Sequence, residues 1–201
     1  MLTNVVFDIG NVLLEYNPRR LLARLCSDTA AQDAVMAALF DSPEWVRSDE
    51  GTITQQELLE TALARVPQYE DLLRRAFCDW LGDMTPIAGM EELVRQLRER
   101  GLRLYLLSNF GVRFYEIGDR LPILNQMQGR IISCDWKLLK PQRAIYELLL
   151  RRFQLAPEQT LFIDDRPENV EGAIRVGMRA WPFTGAEDLR ARLRREGLLP
   201  G

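Results

Sequence analysis

The stretch Asn4-Val-Val-Phe-Asp-Ile-Gly-Asn-Val12 decides the fold. An apolar run leads without a break into an aspartate, a glycine and an asparagine. A short continuous apolar run that ends in turn residues is the pattern of a strand buried on both faces. The turn after it carries a carboxylate, Asp8, at the end of the sheet where open parallel sheets bind their ligands. Further along the chain, Arg103–Leu107, Arg130–Ser133 and Thr160–Ile163 have the same form, and Met178–Trp181 supplies a fifth strand. Helical periodicity separates them. Glu91–Arg100 aligns Leu93, Val94 and Leu97 and stops at Gly101, a left-handed cap. Arg143–Phe153, Asn169–Val176 running to Gly177, and Ala186–Arg194 read the same way. Strands alternating with helices predict an α/β fold, a Rossmann-like doubly wound parallel sheet covered on both faces.

Residues 15–85 break this rhythm and read as helices only: Pro18–Cys26, Ala30–Phe40, Thr54–Val66 and Tyr69–Trp80. Thr54 and Glu57 have the spacing of a capping box, and Asp49–Thr52 reads as the turn before it. The expected organisation is a catalytic core of residues 1–14 and 86–201, with a small helical cap, 15–85, inserted after the first strand. One mixed domain without a separable cap is the alternative.

Composition removes most other chemistries. The 201 residues contain no histidine, which excludes Ser-His-Asp and Cys-His catalysis and any His-ligated metal. Three widely spaced cysteines, Cys26, Cys78 and Cys134, make neither a disulfide framework nor a zinc site. Twenty-six basic against 29 acidic residues give a net charge of -3, so no global attraction to nucleic acid or an anionic membrane is expected. No apolar run approaches the roughly 20 residues of a membrane span. The N-terminal residues lack the regions of a signal peptide. A cytoplasmic protein, a monomer or weak dimer, is expected.

The residues at the strand ends carry the chemistry. Asp8-Ile-Gly10 follows the first strand, Ser108-Asn109 the second, Lys140-Pro141 lies beyond the third, and Asp164-Asp165 ends the fourth. Clustered carboxylates repel, and near neutral pH they stay ionised together only beside a compensating cation. All-oxygen ligands favour Mg²⁺, and a lysine among them supplies a point charge for an anionic substrate. A carboxylate pocket with a lysine and a hydroxyl suits phosphoryl transfer through an aspartyl phosphate.

These four segments, Phe-Asp8-Ile-Gly-Asn-Val, Leu-Leu-Ser108-Asn109, Lys140-Pro141 with Tyr146, and Phe-Ile-Asp164-Asp165 with Asn169, Gly172 and Ala173, resemble the ordered motifs of the haloacid dehalogenase (HAD) superfamily. The variant Asp-x-Gly-Asn-Val, with Glu50-Gly-x-Ile-Thr in the insert, is most similar to the bacterial glucose-1-phosphate phosphatase-like branch. The resemblance implies a Mg²⁺-dependent phosphatase acting on a small phosphorylated metabolite, such as a hexose 1-phosphate. It implies Asp8 as nucleophile, with Ser108 and the backbone amide of Asn109 on the phosphoryl oxygens. Lys140 would neutralise charge. Asp8, the carbonyl of Gly10 and Asp164 would hold the metal, with Asp165 behind or through water. A phosphometabolite-binding regulator and a metal-independent haloacid dehalogenase are the alternatives.

One position departs from the family pattern. Most of its phosphatases carry a second aspartate two residues after the nucleophile, as general acid and base. Here that residue is Gly10. Loss of such a group costs roughly 10²–10⁴ in rate, so Glu15 or Glu50 of the insert is a candidate to replace it. Tyr16, Arg19, Arg20, Phe40, Trp45 and Arg47 are candidates to line the substrate pocket. Asn11 fits either a turn role or a catalytic one.

Overall fold

The computed structural model describes residues 2–118 and 120–200. The chain enters through β1 (Asn4–Phe7), all four residues of which are buried. The insert follows as α1 (Pro18–Leu25), α2 (Thr29–Val35, continued by a π turn over Met36–Phe40), α3 (Pro43–Glu50), α4 (Gln55–Arg65) and α5 (Glu70–Asp79). Then come α6 (Met90–Glu99), β2 (Arg103–Ser108), α7 (Phe114–Ile117), β3 (Gly129–Ile132) and α8 (Ser133–Trp136). The chain continues through α9 (Arg143–Arg152), β4 (Thr160–Asp164), α10 (Pro167–Ile174), β5 (Arg179–Pro182) and α11 (Ala186–Arg195).

The five strands make one sheet in the order β3-β2-β1-β4-β5, every pair parallel. From β1 the chain builds outward to β2 and β3, then returns to lay β4 and β5 on the other side. The order reverses between β1 and β4, so their carboxyl ends flank the crevice where such sheets bind ligands. The register brings Phe7 beside Ile163 and Leu106, and the Asp8 amide donates to the Ile163 carbonyl at 3.0 Å. Asp8 therefore leaves the sheet next to Asp164 and Ser108.

Strand alternation divides the core into two layers. Val5, Phe7, Leu104, Leu106 and Ile163 face the layer shared with α6, α11 and the insert. Val6, Tyr105, Leu107 and Phe162 face Ile145, Tyr146 and Leu149 of α9 and Ala173 of α10. Leu22, Leu39, Leu73 and Trp80 of the insert belong to the first layer, so the insert packs on the same apolar mass as the sheet. Its two ends are tied side by side: the Glu15 amide donates to the Thr85 carbonyl at 2.8 Å, and the Ile87 amide to Leu13 at 2.9 Å.

The insert departs from its sequence reading at one place. Pro43–Glu50 is a helix, where Asp49–Thr52 was expected to be a turn. Ser42 caps it by accepting from the Trp45 amide, Pro43 takes the first turn, and Gly51, left-handed at φ 76°, ends it. The turn begins only at Gly51. Thr54 and Glu57 form the predicted capping box at the start of α4.

Candidate active site

The carboxyl end of the sheet opens on a cavity of about 490 Å³. Asp8, Gly10, Ser108, Asn109, Lys140 and Asp165 line its floor. Lys140 is buried at the centre, with Nζ 2.7 Å from Asp8 Oδ1 and 2.6 Å from Asp164 Oδ2. Nζ also lies 5.4 Å from the Phe162 ring centre. The Ser108 hydroxyl completes the set by hydrogen bonding to Asp8. Burial pushes the Asp8 carboxyl up to about 6, against the opposing charge of Lys140, and the neighbouring Asp164 adds to the rise. Burial alone would discharge Lys140, but Asp8 and Asp164 together hold it above its ordinary value.

The two aspartates at the end of β4, Asp164 and the following Asp165, have different surroundings. Asp164 is fully buried, and its Oδ1 accepts from the Arg166 amide and from Asn169 Nδ2, both at 2.9 Å. Asp165 faces the cavity. Its carboxyl is raised by burial and by Asp164, against the pull of Lys140 and of the Asn11 side chain. Carboxylate oxygens of Asp8, Asp164 and Asp165 lie within 4.8 Å of one another, a donor set suited to a hard divalent cation.

Two asparagines act through the backbone. Asn109 Oδ1 accepts from the Lys140 amide at 2.8 Å, and its Nδ2 donates to the Lys140 carbonyl at 3.0 Å. This side chain fastens the Lys140 loop to the end of β2, a role its position in the sequence does not reveal. Asn11 sits in the left-handed region at φ 54° and accepts from the Tyr16 amide at 3.0 Å, so it shapes the turn leading into the insert. Gly10 is not required by its backbone. A Cβ there would meet only Tyr16 Cβ, at 3.7 Å, and the missing carboxylate is a chemical choice rather than a steric one.

The insert supplies an aromatic roof. Tyr16, Phe40, Trp45 and Trp80 line the cavity with Phe110 from the loop after β2. Their rings pack in sequence, tilted or edge-on: Phe40 against Trp45 at 4.9 Å, Trp45 against Trp80 at 5.1 Å, and Trp80 against Phe110 at 5.6 Å. Tyr16, Phe40 and Trp45 were expected here; Trp80 and Phe110 were not. The expected arginines, Arg19, Arg20 and Arg47, are absent from the lining, and Arg166, which was not expected, is part of it. Arg19 pairs with Asp33 and Arg20 with Glu15, on the exposed face of α1, while Arg47 is exposed on α3. Helical spacing places them on faces turned away from the cavity. Glu15 and Glu50 are likewise outside it, and the acid of the insert that reaches the cavity is Asp49. No described helix is long and apolar enough to cross a membrane.

The model of the haloacid dehalogenase-like hydrolases matches residues 2–177. The chain belongs to this family. HAD relatives include the sesquiterpene phosphatase astK of Aspergillus oryzae, 25% identical over 174 residues that cover 86% of this chain and 85% of that protein. A HAD-like hydrolase from Porphyromonas gingivalis superposes with a TM-score of 0.76 at 26% identity, covering 98% of each chain. A HAD enzyme of Bacteroides thetaiotaomicron, a variant solved with magnesium and inorganic phosphate, gives 0.78 at 18% identity over 96% of this chain and 100% of that one. The HAD fold and hydrolase class are therefore shown, and phosphatases stand among the relatives.

Proposed function

We propose that this protein is a Mg²⁺-dependent phosphatase that removes phosphate from a small metabolite by way of an aspartyl phosphate on Asp8. The arrangement that carries the reading is the buried Lys140 bridging Asp8 and Asp164 at the point where the strand order reverses. A charged lysine held there stabilises anionic charge arriving beside Asp8, in a site where water screening is weak. Asp8 Oδ presents the nucleophile, and the Ser108 hydroxyl with the Asn109 amide would hold the phosphoryl oxygens. Asp8, Asp164, Asp165 and the Gly10 carbonyl would hold Mg²⁺, and the carboxylate cluster fits it. When bound, the ion offsets negative charge on the phosphoryl group. Residues 15–85 act as the cap that excludes water from this floor.

The roof narrows the substrate. The aromatic rings of the roof suit a phosphate attached to a group with a large apolar face, Arg166 adds a guanidinium to the lining, and the indole N–H of Trp80 has no protein partner among the described residues. The name of the Aspergillus relative, a sesquiterpene phosphatase, is of the same character. Phosphate release from aryl and prenyl monophosphates, hexose 1-phosphates and nucleotides, with and without Mg²⁺, tests both levels. Metal-dependent turnover highest on the apolar monophosphates supports the reading, and preference for hexose 1-phosphates returns the substrate to the sugar class. Tight binding without turnover makes the protein a regulator, and metal-independent halide release makes it a dehalogenase.

A further inference from the structure

Gly10 leaves the phosphatase reading without a group to protonate the departing alcohol. We propose that Asp49, on the last turn of α3, is the general acid and base of this site. The inference rests on the phosphatase reading and extends it to a residue of the insert.

Three contacts build the position. The Ser133 hydroxyl, at the end of β3, donates to the Asp49 carbonyl and so pins this backbone to the sheet. Gly51 lies so close to the next segment that a Cβ would stand 2.4 Å from the Cys134 carbonyl oxygen. The Gly111 amide faces the Asp49 carboxylate, and a Cβ on Gly111 would lie 3.6 Å from Asp49 Oδ1. Asp49 is thus held where the insert meets the sheet, on the wall of the cavity whose floor is Asp8. None of these contacts is an arginine or lysine that would keep it ionised. Burial raises its carboxyl well above the ordinary range; the Gly111 amide opposes this, and the charge of Asp8 adds to it. The other titratable groups facing the site are Lys140, Asp165 and Arg166 on the sheet side and Tyr16 from the start of the insert, while Cys134 beyond β3 lies near Asp49. A carboxyl kept neutral by its surroundings is a proton donor near neutral pH.

The proton balance closes over two steps. Asp8 Oδ forms a bond to phosphorus as the P–O bond to the leaving group breaks, and Asp49 gives its proton to the departing oxygen. Water then attacks the aspartyl phosphate and passes a proton to the Asp49 carboxylate. The bond from phosphorus to Asp8 breaks, inorganic phosphate leaves, and both aspartates return to their starting states.

The test is Asp49→Asn assayed by kcat/KM, which reports the steps through departure of the leaving group, on n-hexyl phosphate and on para-nitrophenyl phosphate. Hexyl phosphate needs a proton on its leaving oxygen, whereas nitrophenolate leaves without one. The expected result is a loss of about 10²–10⁴ on hexyl phosphate and less than tenfold on the nitrophenyl ester. The alkaline limb of the hexyl phosphate pH profile should also disappear. Equal losses on both esters, or no loss on either, overturn the assignment. If the Asn variant does not fold, Asp49→Ser is measured by the same ratio. The phosphatase reading is judged separately, by wild-type turnover of para-nitrophenyl phosphate and its absence in Asp8→Asn.

Discussion

The Tyr146 hydroxyl donates to the Asn169 carbonyl at 2.8 Å, and Asn169 in turn donates to Asp164 Oδ1 at 2.9 Å. A buried phenol on α9 thereby fixes an amide on α10, which fixes a carboxylate on β4, which holds Lys140 beside Asp8. Tyr146→Phe removes the first link, while the Asn169 carbonyl keeps its place in the α10 helix. It should cost about 0.5–1.5 kcal/mol of stability. Activity should fall through looser positioning while KM changes little, measured by thermal melting and steady-state kinetics.

Gly51 gives a second expectation. Its backbone is left-handed, and a Cβ added there would come within 2.4 Å of the Cys134 carbonyl oxygen, so no side chain fits. Gly51→Ala should destabilise the protein by about 1–3 kcal/mol and shift α3 from the sheet, with a larger loss of activity than of folded fraction. A thermal midpoint within error of wild type would contradict the tight seating.

If the carboxylate cluster holds Mg²⁺ as proposed, stability should depend on pH and metal together. The Asp8 carboxyl lies at about 6 in the folded protein against 3.8 unperturbed. The folded state therefore holds its proton more tightly, and this stabilising contribution is full below pH 3.8 and lost as pH rises through about 6. Mg²⁺ requires ionised ligands. Added Mg²⁺ should raise the melting temperature more at pH 7.5 than at pH 5, and Asp164→Asn should erase that difference. Equal stabilisation at both pH values would argue against binding at this cluster.

The cysteines should react unequally. Cys78 is exposed, whereas the Cys134 thiol is pushed up to about 12 by burial first and by neighbouring Asp135 as well. Only the thiolate is nucleophilic. Iodoacetamide at pH 8 should label Cys78 well before Cys134, read by peptide mass analysis.

The sheet and most of its floor were legible because Asp8, Ser108 and Asp164 each directly follow, or end, an apolar run. Strand register then brings Asp8, Ser108 and Asp164 together with little freedom. The insert was less legible for a different reason. Periodicity tells that a helix forms, but packing decides which face turns inward, so Tyr16, Phe40 and Trp45 reached the cavity while Arg19, Arg20 and Arg47 did not. Ser42 and Pro43 start α3, but the Asp-Glu-Gly that closes it has the composition of a turn. With α3 unread, Asp49 had no element to carry it to the cavity wall, and Glu15 and Glu50 stood in its place. The Asn109 clamp on Lys140 depends on two loops meeting, which no local pattern encodes.

Covalent capture on Asp8 tests the central claim most directly. Turnover of para-nitrophenyl phosphate with Mg²⁺ is quenched in acid, reduced with borohydride, and the peptide spanning residues 2–14 is weighed. An aspartyl phosphate becomes homoserine under this treatment, and the mechanism predicts that conversion at Asp8 alone, with no conversion and no turnover in Asp8→Asn. Sustained turnover in Asp8→Asn, or an unmodified Asp8 with the label on another residue, would contradict it.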